Sequence, residues 1–302
     1  MVIHSFAKVN LFLEIINKRP DNYHNLNTFF ERISLRDKII LKTRRDNLIK
    51  IYCSDPHVPL GKSNLCWQAA KLLQDKSKIK KGLDIKITKH IPVGAGLGGG
   101  SSNAASILSA LNKLWRLGLS KNRLAALGAQ LGSDVPFFIY DTPFAQGQGR
   151  GEKIHLLKKL NRVKLWHILV VPKIHVSTPR IYKRWDACLS GRQACLPAGR
   201  AFSGLTKPAS NVKIIISKLT KKNLLFEPSL LFNSLEPVTL KLYPEVRRIK
   251  EKLKRLGLKN ILMSGSGGTV FAIIPSAEEA AALAKRLKKE GGPWRAFAVS
   301  TV

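Results

Sequence analysis

The chain has 302 residues, 44% of them hydrophobic, which is length enough for two domains and apolar material enough for packed cores, so a wholly disordered chain is excluded. Its 52 Lys and Arg against 19 Asp and Glu give a formal charge of +33, a balance that suits nucleic acid, an anionic membrane surface, phosphorylated substrates, or only a strongly solvated surface. The excess is spread thinly as far as residue 260, without the block of six like charges that marks a nucleic-acid tail.

The opening residues, Met1 to Ser5, lack the charged lead and long apolar stretch of a signal peptide, and no apolar run reaches 18 residues, so the expectation is a cytoplasmic protein that does not span a membrane. From Ala7 to Leu13 the residues alternate, which predicts a strand with Ala7, Val9, Leu11 and Leu13 on one face and Lys8 and Asn10 projecting together from the other. Strand-like runs follow at 38–52 and 83–88, with helical apolar spacing between them at 64–73. Helical spacing returns at 103–115 and at 120–131, where Gly132 closes it.

A second unit begins near Val163 with the apolar run 165–171. It continues through helical stretches at 211–219 and 245–256 and a strand at 269–274, and ends in a helix over 278–289 that Ser276 and Glu279 cap as a pair. Both halves read as α+β, divided into 1–160 and 161–302. Residues 187–206 contain a near-repeat, Ala-Cys-Leu-Ser-Gly-Arg and then Ala-Cys-Leu-Pro-Ala-Gly-Arg, and read as an inserted surface loop. The four cysteines, Cys53, Cys66, Cys188 and Cys195, form no Cys-x-x-Cys pair and read as reduced thiols that bind no metal.

The strongest local signal is the segment Pro92-Val93-Gly94-Ala95-Gly96-Leu97-Gly98-Gly99-Gly100-Ser101-Ser102-Asn103, which leads straight into an apolar helix. Glycines there let several backbone N–H groups converge on an anion at a helix N-terminus, which makes a phosphate cradle rather than a flexible linker. The dinucleotide fingerprint is formally present but needs an acidic residue about 20 positions on, and there is no Asp or Glu from Ile85 to Ser133. A Walker A loop would need Lys after its last glycine, and Ser101 stands there.

Taken with Ala7 to Leu13, Arg19-Pro20-Asp21-Asn22-Tyr23-His24, Leu131-Gly132-Ser133-Asp134-Val135-Pro136 and the turn Met263 to Gly268, this segment resembles the GHMP kinase superfamily. Within it, Tyr23-His24 resembles the branch whose substrate is 4-diphosphocytidyl-2-C-methyl-D-erythritol. The resemblance implies a two-domain fold, with an amino-terminal domain like domain 2 of ribosomal protein S5 and a ferredoxin-like carboxy-terminal domain, and an active site between them. It implies ATP and Mg²⁺ as cofactors, the small cytidine-linked alcohol as partner, and no specific nucleic-acid partner.

The same resemblance implies residue roles. Asp134 is the expected general base and Lys8 its electrostatic partner. Asn64, Lys89 and Pro92 to Ser102 are expected around ATP, with Ser101 or Ser102 offering a hydroxyl to magnesium. Tyr23 and His24 are expected to hold the cytosine, with Phe30, Thr178 and Tyr182 as further walls and Asn10 reaching the methylerythritol. Two departures stand out: Asn22 replaces the usual glycine of the Tyr-His turn, and Ser234 replaces an aspartate in Asn233-Ser234-Leu235-Glu236. The competing readings are a GHMP kinase for homoserine or mevalonate, and an RNA-binding protein motivated by the charge.

Overall fold

The long alternating run at the amino terminus forms one arm of a hairpin, β1 (Val2–Lys18), which returns as β2 (His24–Arg44). The turn between them places Asn22 at φ 63°, a left-handed conformation that asparagine tolerates better than most residues, so the turn survives without its glycine. The computed structural model describes residues 1–189, 208–220 and 230–302.

The alternation expected from Ala7 to Leu13 fails at one place. The pairing with β2 shifts between Asn10 and Phe12, and such a bulge inverts the faces beyond it. Phe12 therefore joins Ala7, Val9 and Leu11 in one core, whereas Leu13 turns to the cleft that Lys8 and Asn10 line. The strand-like run 38–52 also divides, into the end of β2 and a separate β3 (Ile49–Cys53), with Arg44 bonded to Asp46 at the turn.

β3, β4 (Gly82–Thr88), β2 and β1 lie side by side in that order, and β5 (Phe144–Gly149) and β6 (Lys153–Leu156) extend the sheet from β2. Helices α1 (Leu65–Ser77), α2 (Gly99–Leu114), α3 (Lys121–Leu131) and α4 (Val135–Tyr140) build the helical half of this layer. Their apolar faces meet Ile39, Leu41, Ile85 and Ile87 in a shared core. Ser120 caps α3 as its sequence position implies.

The later residues build a second sheet from β7 (Trp166–Pro172), β9 (Ile261–Met263), β10 (Val270–Ile274) and β11 (Trp294–Ser300). Its order, β11-β7-β10-β9, with every recorded pairing antiparallel, is the arrangement of a ferredoxin-like split β-α-β. Helices α5 (Thr178–Leu189), α6 (Pro208–Thr220), α7 (Glu236–Leu242), α8 (Pro244–Arg255) and α9 (Ala277–Lys289) accompany it. Two features tie the halves together: the two-residue strand β8 (Phe232–Asn233) pairs with β1, and a common core runs from Val9 and Phe29 to Leu169, Phe271 and Val299.

Of the stretch read as an inserted loop, residues 187–189 are instead the last residues of α5, and 190–206 lie outside the described residues. Cys53 and Cys66 are free thiols, and burial pushes the Cys66 thiol up to about 12, which suits an inert core residue. The reading for Cys195 lies outside the described residues.

One core position makes stability depend on pH. Glu14 on β1 is buried, and loss of solvent pushes its carboxyl up to about 7 from 4.5. Between those values the folded state holds a proton that the unfolded state has released, so stability falls as pH rises from about 4.5 to 7. Glu14→Gln is expected to flatten that slope, as read by denaturant midpoints at pH 5 and pH 7.5; an unchanged slope would assign the dependence to other groups.

Candidate active site

Lys8 reaches the cleft because β1 is held on both sides. Its backbone N–H donates to the Leu97 carbonyl at 3.0 Å, which anchors the strand to the glycine-rich segment. Its ammonium donates to Asn10 Oδ1 at 2.6 Å and lies 3.4 Å from Asp134 Oδ2. It also sits 5.4 Å from the centre of the Phe30 ring, which Phe137 backs by stacking at 4.9 Å. Lys8 is thus a nearly buried cation aimed at one carboxylate.

Asp134 precedes α4, where an aspartate commonly caps the helix. Its side chain makes no capping hydrogen bond and is about one-third exposed, so the carboxylate stays available to the cleft. Asn10 is more committed than its expected role implies. Its amide accepts from Lys8 and donates to Thr28 Oγ1 at 2.7 Å, and Thr28 in turn donates to the Phe12 carbonyl. It lines the cavity, but its first effect is to orient Lys8.

The glycine-rich segment folds as a loop onto the N-terminus of α2, with Gly98 in a left-handed conformation and no side-chain cap. The first-turn N–H groups of Gly99, Gly100 and Ser101 have no partner within the helix, and these residues line a cavity of about 360 Å³. Gly96 is required by a close approach: a Cβ there would stand 2.3 Å from the Ser264 carbonyl oxygen and 2.8 Å from the Gly267 nitrogen. The two glycine-rich turns therefore pack backbone to backbone. Thr269 Oγ1 donates to the Ala95 carbonyl at 2.6 Å, and Asn233 donates to the carbonyls of Met263 and Gly265 at 2.8 Å each.

The Asn-Ser-Leu-Glu segment thus has a structural use in this chain. Asn233 holds the second turn, Ser234 Oγ accepts from the Ile15 N–H at 3.1 Å, and Glu236 accepts from the Met263 N–H while pairing with Lys250.

A second cavity, about 690 Å³, shares Gly96, Gly98 and Ser101 with the first. Lys8, Asn10, Tyr23, His24, Phe30, Asp134, Thr178 and Tyr182 all line it. Tyr23 is 53% exposed, and its ring lies 4.8 Å from the Arg150 guanidinium. Tyr182 stacks on His24 at 5.0 Å, and burial, with Asp134 nearby, pushes its phenol above the ordinary range. Asn64, Lys89 and Pro92 to Ser101 line the smaller cavity.

Three expected contacts change. Ser102 is buried, with its hydroxyl 2.7 Å from that of Ser5, so it is turned away from the nucleotide side. Lys89 lines the cavity, but its ammonium pairs with fully buried Asp37, and Asn64 caps α1 with its side-chain oxygen. Sequence reasoning did not single out Lys18, Arg150 or Asp186, all of which line the larger cavity. Arg150 carries the only available signal, an arginine between two glycines.

Among the described residues no cluster of three His, Cys, Asp or Glu side chains could hold a metal ion. A magnesium ion bound mainly by phosphate oxygens and water fits this cleft, because Ser101 lines both cavities.

Models of the GHMP kinases N terminal domain and the GHMP kinases C terminal match residues 64–142 and 205–292. The 4-diphosphocytidyl-2-C-methyl-D-erythritol kinase of Syntrophotalea carbinolica is 40% identical over 98% of this chain and 97% of its own. The enzyme so named from Bacillus subtilis is 41% identical over 89% of this chain and 86% of its own. A crystal structure of 4-(cytidine 5′-diphospho)-2C-methyl-D-erythritol kinase superposes with a TM-score of 0.76 at 31% identity, covering 99% of this chain and 98% of that one. A homoserine kinase structure from Cytophaga hutchinsonii, at 18% identity and a TM-score of 0.70, shares the fold.

Proposed function

The chain belongs to the GHMP kinases and, among them, to the 4-diphosphocytidyl-2-C-methyl-D-erythritol kinases, and we propose from this that it transfers the terminal phosphoryl group of ATP to the 2-hydroxyl of 4-diphosphocytidyl-2-C-methyl-D-erythritol, a step in non-mevalonate isoprenoid precursor synthesis. The observation that carries the proposal is that Tyr23 and His24 line the same cavity as the Lys8–Asp134 pair, and that this cavity opens onto the phosphate loop. A homoserine or mevalonate kinase has no use for that aromatic wall.

Asp134 accepts the proton of the attacking hydroxyl, and Lys8 stabilises the charge that develops on the acceptor and transferred oxygens. Asn10 and Phe30 keep Lys8 in place. The N–H groups at the start of α2 hold the phosphates, and the helix dipole adds to their field. A magnesium ion accompanying ATP would be held chiefly by phosphate oxygens and water, with Ser101 the residue placed to offer a hydroxyl, and would neutralise phosphate charge. Residues 1–160 and 161–302 act as the two domains that enclose the cleft, and a cytoplasmic location suits an enzyme that draws on ATP.

Incubation of the purified protein with ATP, Mg²⁺ and the cytidine substrate is expected to release ADP in step with a phosphorylated product; a folded preparation that releases none would rule the activity out. Tyr23→Ala is expected to raise KM for the cytidine substrate by roughly 5- to 150-fold, the weight of one base-stacking contact of about 1–3 kcal/mol. Because Tyr23 is exposed, thermal stability should hardly move. A KM within twofold of the wild type would place the base elsewhere.

A further inference from the structure

The larger cavity contains a chain of contacts that no sequence motif announces. Asp186 lies four residues after Tyr182 on α5, so both project from one face of that helix. Asp186 Oδ1 is 2.7 Å from His24 Nε2, and its Oδ2 accepts from Lys18 Nζ at 2.7 Å. Tyr182 stacks on the His24 ring, and Trp185 meets it edge-on at 5.5 Å. The imidazole is therefore fixed in plane and in rotation by three residues of one helix.

We propose that Asp186 is a positioning residue that sets the base choice of this pocket, holding His24 as a hydrogen-bond acceptor at Nδ1 and so favouring cytosine over uracil. The inference rests on the cytidine-substrate reading above.

The argument is one of hydrogen-bond inventory. An ionised carboxylate only accepts, so Nε2 must carry the proton, and the neutral ring then presents a lone pair at Nδ1. Asp186 is ionised: burial works against it, but the hydrogen bonds from Lys18 and His24 outweigh burial and hold the carboxyl below its ordinary value. Lys18 supplies the counter-charge of Asp186 at 2.7 Å. Among the described residues Nδ1 has no hydrogen-bond partner and is not a buried orphan, while the ring lines the cavity. Cytosine and uracil differ at position 3, an acceptor nitrogen in one and an N–H donor in the other, and at position 4, the edge that Nδ1 would read, an amino donor in one and a carbonyl acceptor in the other. A lone pair at Nδ1 matches the first and faces the second with acceptor against acceptor.

Asp186→Asn tests this without changing shape. Lys18 keeps the carbonyl oxygen of the new amide, so its NH₂ turns toward His24, and the ring proton must move to Nδ1. The probes are cytidine 5′-diphosphate and uridine 5′-diphosphate, titrated into protein saturated with a non-hydrolysable ATP analogue. The wild type is expected to prefer the cytidine nucleotide by at least about tenfold, and Asp186→Asn to reduce that preference by at least about fivefold, the scale of one mismatched polar contact. Asp186→Asn combined with Lys18→Met frees the amide to rotate and should recover part of the preference. Nitrogen-15 shifts of His24 should report the Nε2–H tautomer in the wild type. An unchanged ratio in Asp186→Asn, or an Nδ1–H tautomer in the wild type, overturns the proposal alone. A wild type that binds neither nucleotide overturns the cytidine reading first and this inference with it.

Discussion

Asp134→Asn is expected to lower kcat by about 10²- to 10⁴-fold, the usual contribution of a positioned general base, while ATP affinity stays close to that of the wild type. The amide keeps the shape of the carboxylate, so the fold has no reason to respond. It loses two things together: the proton acceptor, and the anion 3.4 Å from Lys8. Nucleotide binding is spared because the ATP-side cavity shares only Gly96, Gly98 and Ser101 with the cavity holding Asp134. The size of the loss carries information. Phosphoryl transfer passes through a loose transition state in which the nucleophile gives up its proton late, so a kinase that relied on Lys8 and the phosphate loop alone would lose less than about tenfold. Steady-state ADP release and calorimetric ATP binding on the same preparation separate these cases. A loss under tenfold would leave Asp134 as an orienting group for Lys8. Lys8→Met should cost a similar factor, and the double variant little more, because the two residues act as one unit.

The glycine loop, the aspartate segment and the Tyr-His turn were legible because each is local: a run of small residues, a strand-to-helix boundary, a turn. The bulge in β1 was not. Period-2 reasoning has no term for an extra residue, so Leu13 was assigned to the wrong face although Lys8 and Asn10, before the shift, were assigned correctly. Asp186 was invisible because its meaning depends on Lys18 and His24, which lie more than 160 positions away in sequence and meet it only when α5 packs over the hairpin. The choice between Ser101 and Ser102 is likewise set by geometry rather than by the motif. Ser101 faces the cleft, and helical geometry then turns Ser102 about 100° away, onto Ser5. The basic excess has a local counterpart: Lys8, Lys18, Arg150 and Lys183 outnumber Asp134 and Asp186 around the larger cavity, which suits a diphosphate ligand.

Asp37→Ala is expected to cost about 3–5 kcal/mol of stability, the usual penalty for removing one partner of a buried ion pair. Asp37 sits on β2 with no exposed surface and gathers four donors: the Lys89 ammonium, the His90 and Ile91 N–H groups at 2.7 and 2.9 Å, and Asn103 Nδ2 at 3.0 Å. Asn103 also donates to Ser5 Oγ, which is bonded to Ser102. One carboxylate therefore connects the opening strand, the approach to the glycine loop and the first turns of α2. Alanine would leave a buried cation without its anion and two loop N–H groups without an acceptor. At roughly 2–4 °C per kcal/mol for a chain of this size, the melting temperature should fall by about 6–20 °C. The loop should loosen as well, raising KM for ATP more than it lowers kcat, because Asp37 lies behind the phosphate cradle and not beside the acceptor. Asp37→Ala combined with Lys89→Met removes the stranded charge and should recover a substantial part of the stability but not the ATP affinity, since the His90 and Ile91 N–H groups stay unpaired. If the single variant melts within a few degrees of the wild type, water reaches this network and the loop is held by its backbone contacts to Ser264 and Gly267 instead.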